Sequence, residues 1–308
     1  MHQYNVKIFQ VIFLFSVSLV NEASSLSKDL VTNIGLSSGY NSNVFYRGDA
    51  DINNDVIEES DIQHSFILNA GYKYFSGVNS DAKLYVDYFY DKLQNNGINY
   101  STIDLSLPYT FYTKNFRIRF TPLISSFSSS GTNAMQYFGT SVNATRKLGF
   151  YRAGINILLI KNKVVDEIYS AYEGSSNNSY VFLERRSFST RFDFKLGSAN
   201  YHYQQTIDGD ESYSVYYVGG SYIYFKGKKE ISLAGRWQSK KYIDDPFDGF
   251  KRLDHNTKFS ITPAYRVSKS VKFFVKVQYL VNSSNLSSDV DDKNYDQSLL
   301  NIGVNWRL

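Results

Sequence analysis

Gln297-Ser298-Leu299-Leu300-Asn301-Ile302-Gly303-Val304-Asn305-Trp306-Arg307-Leu308 alternates with a period of two. One set is Ser298, Leu300, Ile302, Val304, Trp306 and Leu308, and the other is Gln297, Leu299, Asn301, Gly303, Asn305 and Arg307. Successive strand side chains point to opposite faces, so this stretch carries one apolar and one mostly polar face. A soluble sheet hides such an apolar face in a core. A membrane barrel turns it outward to lipid and keeps the polar face in the lumen. The neighbouring segments decide between the two.

Upstream, Val271, Phe273, Val275, Val277 and Tyr279 oppose Lys272, Lys276 and Gln278, while Phe259, Ile261, Pro263, Tyr265 and Val267 oppose Lys258, Ser260, Thr262 and Arg266. Phe188, Phe192, Phe194 and Leu196 oppose Ser187, Ser189, Arg191, Asp193 and Lys195. Phe66, Leu68, Ala70, Tyr72 and Tyr74 oppose Ser65, Asn69, Gly71 and Lys73. A Lys or Arg facing lipid at the midplane costs about 2–4 kcal/mol, so a barrel collects charge on its inner face, as these sets do. The segment 213–225 is apolar on both sides, and its facing stays open.

Strands are expected at 30–44, 63–75, 82–93, 100–113, 115–128, 134–147, 151–164, 181–196, 199–207, 213–226, 230–242, 254–267, 271–283 and 297–308. Tight connections at 76–80, Lys114, 148–150, 197–198, 227–229 and 268–270 mostly carry Gly, Asn or Ser, residues that permit hairpin geometry. They alternate with longer ones, notably 45–62, 165–180, 243–253 and 284–296. Short turns on one side and long loops on the other indicate an all-β, up-and-down antiparallel transmembrane β-barrel of about 14 strands. An even count places both termini on the periplasmic side and the long loops outside. No fixed sequence period recurs, which excludes repeat architectures.

The start and the composition agree. Residues 8–20 form an apolar run behind a weakly positive head and ahead of Ala23-Ser24-Ser25, the layout of a secretory signal. We expect 1–25 to be the signal peptide, cleavage after Ala23 being the alternative, and 26–308 to be the barrel. With 27 Tyr, 23 Phe, no Cys and a negative mean hydropathy of −0.34, the remainder is β-prone yet polar on average, as alternation between lipid and water requires. Tyr72, Tyr74, Tyr88, Tyr90, Tyr109, Phe111, Tyr151, Trp237 and Tyr265 fall on outward sets near strand ends and suit an interfacial aromatic girdle.

Charges sort by face. Arg117, Arg119, Arg152, Arg191, Lys195, Arg236, Lys258, Arg266, Lys272 and Lys276 are expected to line the lumen, joined by Lys73, Lys83, Arg185, Lys240 and Arg307. The expected inward acids are Asp87, Asp91, Asp104 and Asp193 only, so the lumen is expected to favour anions. The long loops are acidic, with Asp49, Asp51, Asp55, Glu58, Glu59 and Asp61 in the first. Asp49 to Asp55 begins like a calcium loop but lacks the Gly and the final acid of an EF-hand, so no metal site is assigned. No catalytic motif is present, His64, His202 and His255 share no ligand spacing, and no cofactor is expected.

Asn301, Gly303, Trp306 and Leu308 resemble the C-terminal insertion signal of bacterial outer-membrane barrels, with Leu308 in place of the usual Phe. That resemblance implies delivery by the barrel assembly machinery into a membrane of outer-membrane lipid and lipopolysaccharide. Gly39-Tyr40-Asn41-Ser42-Asn43-Val44 resembles the opening of a group of barrels that includes the C-terminal barrel of surface lipoprotein assembly modifiers. The chain departs from those proteins in having only a few residues between signal and first strand, where they carry a helical-repeat domain. The function expected is a passive channel. The alternative is a surface-assembly or translocation barrel that acts by binding a partner, as an accessory to lipoprotein or polysaccharide export.

Overall fold

The computed structural model describes residues 30–43, 60–166, 173–203, 212–242, 252–285 and 294–308. The expected signal peptide, Val44 and most of the acidic loop residues lie outside them. The strands are β1 (Leu30–Asn41), β2 (Asp61–Ser76), β3 (Ser80–Leu93), β4 (Asn99–Ser106), β5 (Tyr109–Tyr112), β6 (Phe116–Ser129), β7 (Thr132–Leu148) and β8 (Tyr151–Val164). They continue as β9 (Gly174–Arg186), β10 (Thr190–Tyr203), β11 (Tyr213–Lys226), β12 (Lys229–Tyr242), β13 (Leu253–Arg266), β14 (Val271–Ser284) and β15 (Tyr295–Arg307).

Apart from β4 and β5, each strand pairs antiparallel with its sequence neighbours, and β1 pairs with both β2 and β15, which closes the ring. Segments β4 and β5 share one place in the wall, since both pair with β3 on one side and β6 on the other. Pro108 interrupts them because proline has no N–H to give the ladder, although its carbonyl still accepts the Lys83 N–H at 3.0 Å. The molecule is therefore a closed 14-strand up-and-down barrel. Closure matters in lipid, where no water satisfies an open strand edge.

The outer face is apolar at mid-height. Ile302 keeps 57% of its surface exposed, Leu196 53% and Ile103 52%, values that suit lipid and not water. Tyr72, Tyr74, Tyr109, Phe111, Tyr151 and Tyr265 are outward and exposed toward the rim that carries Leu30 and Leu308, here the lower rim. Outward charges such as Arg146, Lys161, Lys226 and Lys241 sit near strand ends.

The closing seam follows from alternation. Ile34 lies opposite Trp306 and Leu36 opposite Val304 on the outer face, while Asn33 lies opposite Arg307 and Gly35 opposite Asn305 on the inner one. Trp306 retains 5% of its surface and sits between Ile34 and Val271, within the single sheet that the described residues form. Leu308 donates its N–H to Thr32 O at 2.8 Å. At the upper rim Gln297 Nε2 donates to Asn41 Oδ1 at 2.8 Å and to Asn43 O at 2.7 Å, so a polar latch joins the ends of β1 and β15.

Three expectations around one hairpin are corrected. The turn expected at Gly197-Ser198 is instead Ser187-Phe188-Ser189, closed by the Ser187 N–H on Thr190 O at 2.8 Å and the Thr190 N–H on Ser187 Oγ at 3.0 Å. Gly197 is mid-strand, where a Cβ would stand 2.5 Å from Ser179 O, 2.6 Å from Tyr180 Cβ and 2.7 Å from Tyr217 Cζ. Its smallness serves packing, not a turn. As a result 174–180, expected within a loop, is strand. Arg185 also moves to the outward set, its guanidinium over the Tyr151 ring at 5.6 Å. Another tight hairpin is Ser130-Gly131, where φ values of 48° and 84° match the two left-handed positions of a type I′ turn.

Candidate functional site: the charged lumen

By strand register the ten basic residues expected in the lumen share one face of the closed sheet, in two groups. Arg117, Arg119, Arg152, Arg191, Arg266 and Lys272 lie near the lower rim, spread over β6, β8, β10, β13 and β14. Lys195, Arg236, Lys258 and Lys276 lie nearer mid-height. The ladder sets Arg236 directly opposite Lys258, and Lys276 follows on the next strand. These three lie on the adjacent strands β12, β13 and β14.

The lower group is partly neutralised by acids that the misplaced turn and the chain's linear order concealed. Glu184 Oε2 lies 3.7 Å from Arg152 Nη1 and 3.5 Å from Arg186 Nη2. Glu230 Oε1 lies 3.2 Å from Lys272 Nζ. Arg119 donates to Thr110 Oγ1 at 3.3 Å. Among the described residues no carboxylate lies within ion-pair distance of Arg236, Lys258 or Lys276.

Asp87, Asp91 and Asp104 face this group from across the ring, whereas Asp193 lies on β10, two strands from β12. Asp87 and Asp104 are direct neighbours on β3 and β4, and β4 stands half-way round the wall from β12. Asp87 accepts from Asn69 Nδ2 at 2.7 Å and Asp91 from Gln63 Nε2 at 2.6 Å. Both are held by neutral donors. Asp193 accepts from Ser221 Oγ at 2.6 Å.

Strand β11 is apolar on both sides for two reasons. Tyr216, Tyr222 and Tyr224 face outward and are exposed, while Tyr213, Val215 and Tyr217 face the lumen. The inward set packs with Tyr180, Ala199 and Tyr201 into an aromatic patch. Failed alternation at 213–225 was the signal for it. Three cations lie on its rings: Arg236 over Tyr217 at 4.5 Å, Lys240 over Tyr213 at 5.2 Å and Lys195 over Tyr180 at 5.5 Å.

The insertion-signal residues have separable roles at the seam. Asn301 faces inward opposite Gly39, and Gly303 leaves room where a Cβ would stand 2.5 Å from Leu36 O and 2.5 Å from Phe274 Cζ. Trp306 and Leu308 hold the lower end. His64 meets Gln94 Oε1 at 3.2 Å and His255 stacks on Trp237 with centroids 5.8 Å apart. No group of three His, Cys, Asp or Glu among the described residues could hold a metal ion.

No family model matches the chain, and no curated protein matches it either. Similar solved structures include a loop-L8 deletion mutant of OmpT, an outer membrane protein of Vibrio cholerae, at 8% identity and TM-score 0.48 over 91% of this chain and 98% of that one. OccAB3 of Acinetobacter baumannii is similar at 7% identity and TM-score 0.48, over 92% of this chain and 100% of that one. A BenF-like porin from Pseudomonas fluorescens is similar at 10% identity and TM-score 0.46, over 91% and 99%. At these values the likeness carries no functional argument, and the function rests on the lumen itself.

Proposed function

We propose that this outer-membrane barrel is a passive channel whose lumen favours anions. The observation that carries the reading is the row Arg236, Lys258 and Lys276 on three adjacent strands, with no carboxylate in ion-pair reach among the described residues. Charges on a low-dielectric wall focus their field into the water-filled lumen, raising the local concentration of anions and their rate of entry. Fourteen strands enclose a wider interior than the side-chain-filled eight-stranded barrels, which leaves room for a path. Lipid and lipopolysaccharide contact the outer face, and the barrel assembly machinery inserts the chain through its last strand.

The resemblance of 39–44 to barrels of surface lipoprotein assembly modifiers has a simpler account. Gly39 lets β15 approach, and Asn41 and Asn43 engage Gln297, so the motif works at closure and lends no support to moving a client. The channel reading is tested in planar bilayers under a KCl gradient. Expected are discrete current steps with a reversal potential on the chloride side, moved toward zero by Lys276→Glu. Folded protein that conducts nothing would favour the partner-binding barrel.

A further inference from the structure

We infer that the upper lumen between β7 and β12 is a binding site for an acidic saccharide, a pyranose ring carrying a carboxylate. The inference deepens the channel reading and rests on it for the passage of the sugar, though not for its binding.

A lumen filled with water calls for polar side chains at inward positions. This wall instead presents tyrosines on four consecutive strands, with Tyr201 and Tyr213 stacked at 4.6 Å and Tyr213 and Tyr242 at 5.4 Å. Beside them opens a recess of about 220 Å³ lined by Tyr137, Tyr201, Tyr203, Asn162, Ser176 and Asn178. Leu158 and Ile160 form its apolar floor. It is smaller than the roughly 300–1,000 Å³ of a drug-sized pocket, so it suits a single ring. Aromatic rings pack the C–H face of a pyranose, and amide and hydroxyl groups match its hydroxyl edge. No charged side chain lines the recess, so the ring, not a charge, is what fits inside it.

The charge specificity comes from the flank. Asn178 accepts from the Tyr217 hydroxyl at 2.8 Å, and the Arg236 guanidinium lies over that same tyrosine at 4.5 Å. Lys195 lies over Tyr180, two residues along β9 from Asn178. A ring seated in the recess therefore has cations within one side chain of its edge. A carboxylate there meets them, whereas a neutral sugar uses only the ring contacts.

The test is isothermal calorimetry on the folded barrel in detergent, with trigalacturonate and maltotriose as probes and heat-modifiable gel migration as the folding control. Expected is saturable binding of trigalacturonate at least tenfold tighter than of maltotriose. Tyr203→Ala weakens it at least tenfold, while Tyr203→Phe, which keeps the ring, weakens it less than threefold. Arg236→Gln removes the preference for the acidic sugar and leaves maltotriose unchanged. No saturable binding of trigalacturonate, or an unchanged affinity in folded Tyr203→Ala, would reduce the patch to wall packing, and equal affinities for the two sugars would overturn the acidic assignment. Calorimetry needs no open pore. Binding without conductance refutes the channel alone, and conductance without binding refutes the sugar site alone.

Discussion

Replacing Gly39 by Ala tests the seam that makes the barrel a closed wall. Gly39 pairs with Asn301 across β1 and β15, and an added Cβ would collide with Asn301 Oδ1 and with Leu300 O and come within 2.7 Å of Asn301 Cα. The Asn301 amide can rotate away. The Leu300 carbonyl moves only if β15 moves. Overpacking a well-packed site costs about 1–3 kcal/mol. Here relief would also stretch ladder hydrogen bonds that lipid cannot replace, each worth several kcal/mol. The expected loss is therefore at least about 3 kcal/mol, at or above the upper end of ordinary overpacking. With a urea dependence of about 1–3 kcal/mol per molar, the unfolding midpoint falls by about 1 M or more. Gly235→Ala is the matched control, because its Cβ would meet nothing nearer than Lys258 O at 4.0 Å. Its expected change is within about 0.5 kcal/mol. The assay is urea unfolding in lipid vesicles followed by heat-modifiable gel mobility. Equal midpoints for the two variants would refute the close approach of β15 to β1 at Gly39.

Three further outcomes follow from the same structure. Deleting Trp306 to Leu308 removes the lower end of the seam and is expected to abolish membrane assembly while leaving secretion intact, read as soluble periplasmic chain without heat-modifiable barrel. Asp254→Ala removes the acceptor of Arg252 at 2.7 Å and of Ser284 Oγ at 2.6 Å in a knot whose carboxylate is 3% exposed. Taking the carboxylate away from this part-buried guanidinium is expected to cost about 3 kcal/mol, visible as a lower urea midpoint. Glu230→Gln frees Lys272 from its carboxylate and is expected to raise the anion preference measured by reversal potential, the opposite of Lys276→Glu.

Much of the fold was legible because a period of two is a local property. Ile302 and Asn301 announce their faces from their immediate neighbours, and once the ring closes, the pairing of β15 with β1 follows. The misplaced hairpin shows where local reading ends. Gly197 looks like a turn residue, but only its contacts with Tyr180 and Tyr217 reveal that its smallness makes room for rings. Ser187-Phe188-Ser189 turns without glycine through serine hydroxyl and backbone bonds. That shift hid Glu184 and misassigned Arg185. That the basic residues share one face was legible from alternation. Their partners were not, since Lys272 meets Glu230 from 42 residues away and two strands round the wall. The inward tyrosines left one trace, the lost alternation of β11, and it gave no hint of Tyr180 or Tyr201 beside them.

The chain has no cysteine, so single thiols can report each face. Ser260 points into the lumen two residues from Lys258, and Ile261 points outward opposite Val277. The decisive measurement is the modification rate of Ser260→Cys and Ile261→Cys in lipid vesicles by an anionic sulfonatoethyl and a cationic trimethylammonioethyl methanethiosulfonate. A basic lumen within a lipid-facing wall gives reaction at position 260, faster with the anionic reagent, and none at 261. Reaction at 261 with protection at 260, or faster reaction of the cationic reagent at 260, would contradict it.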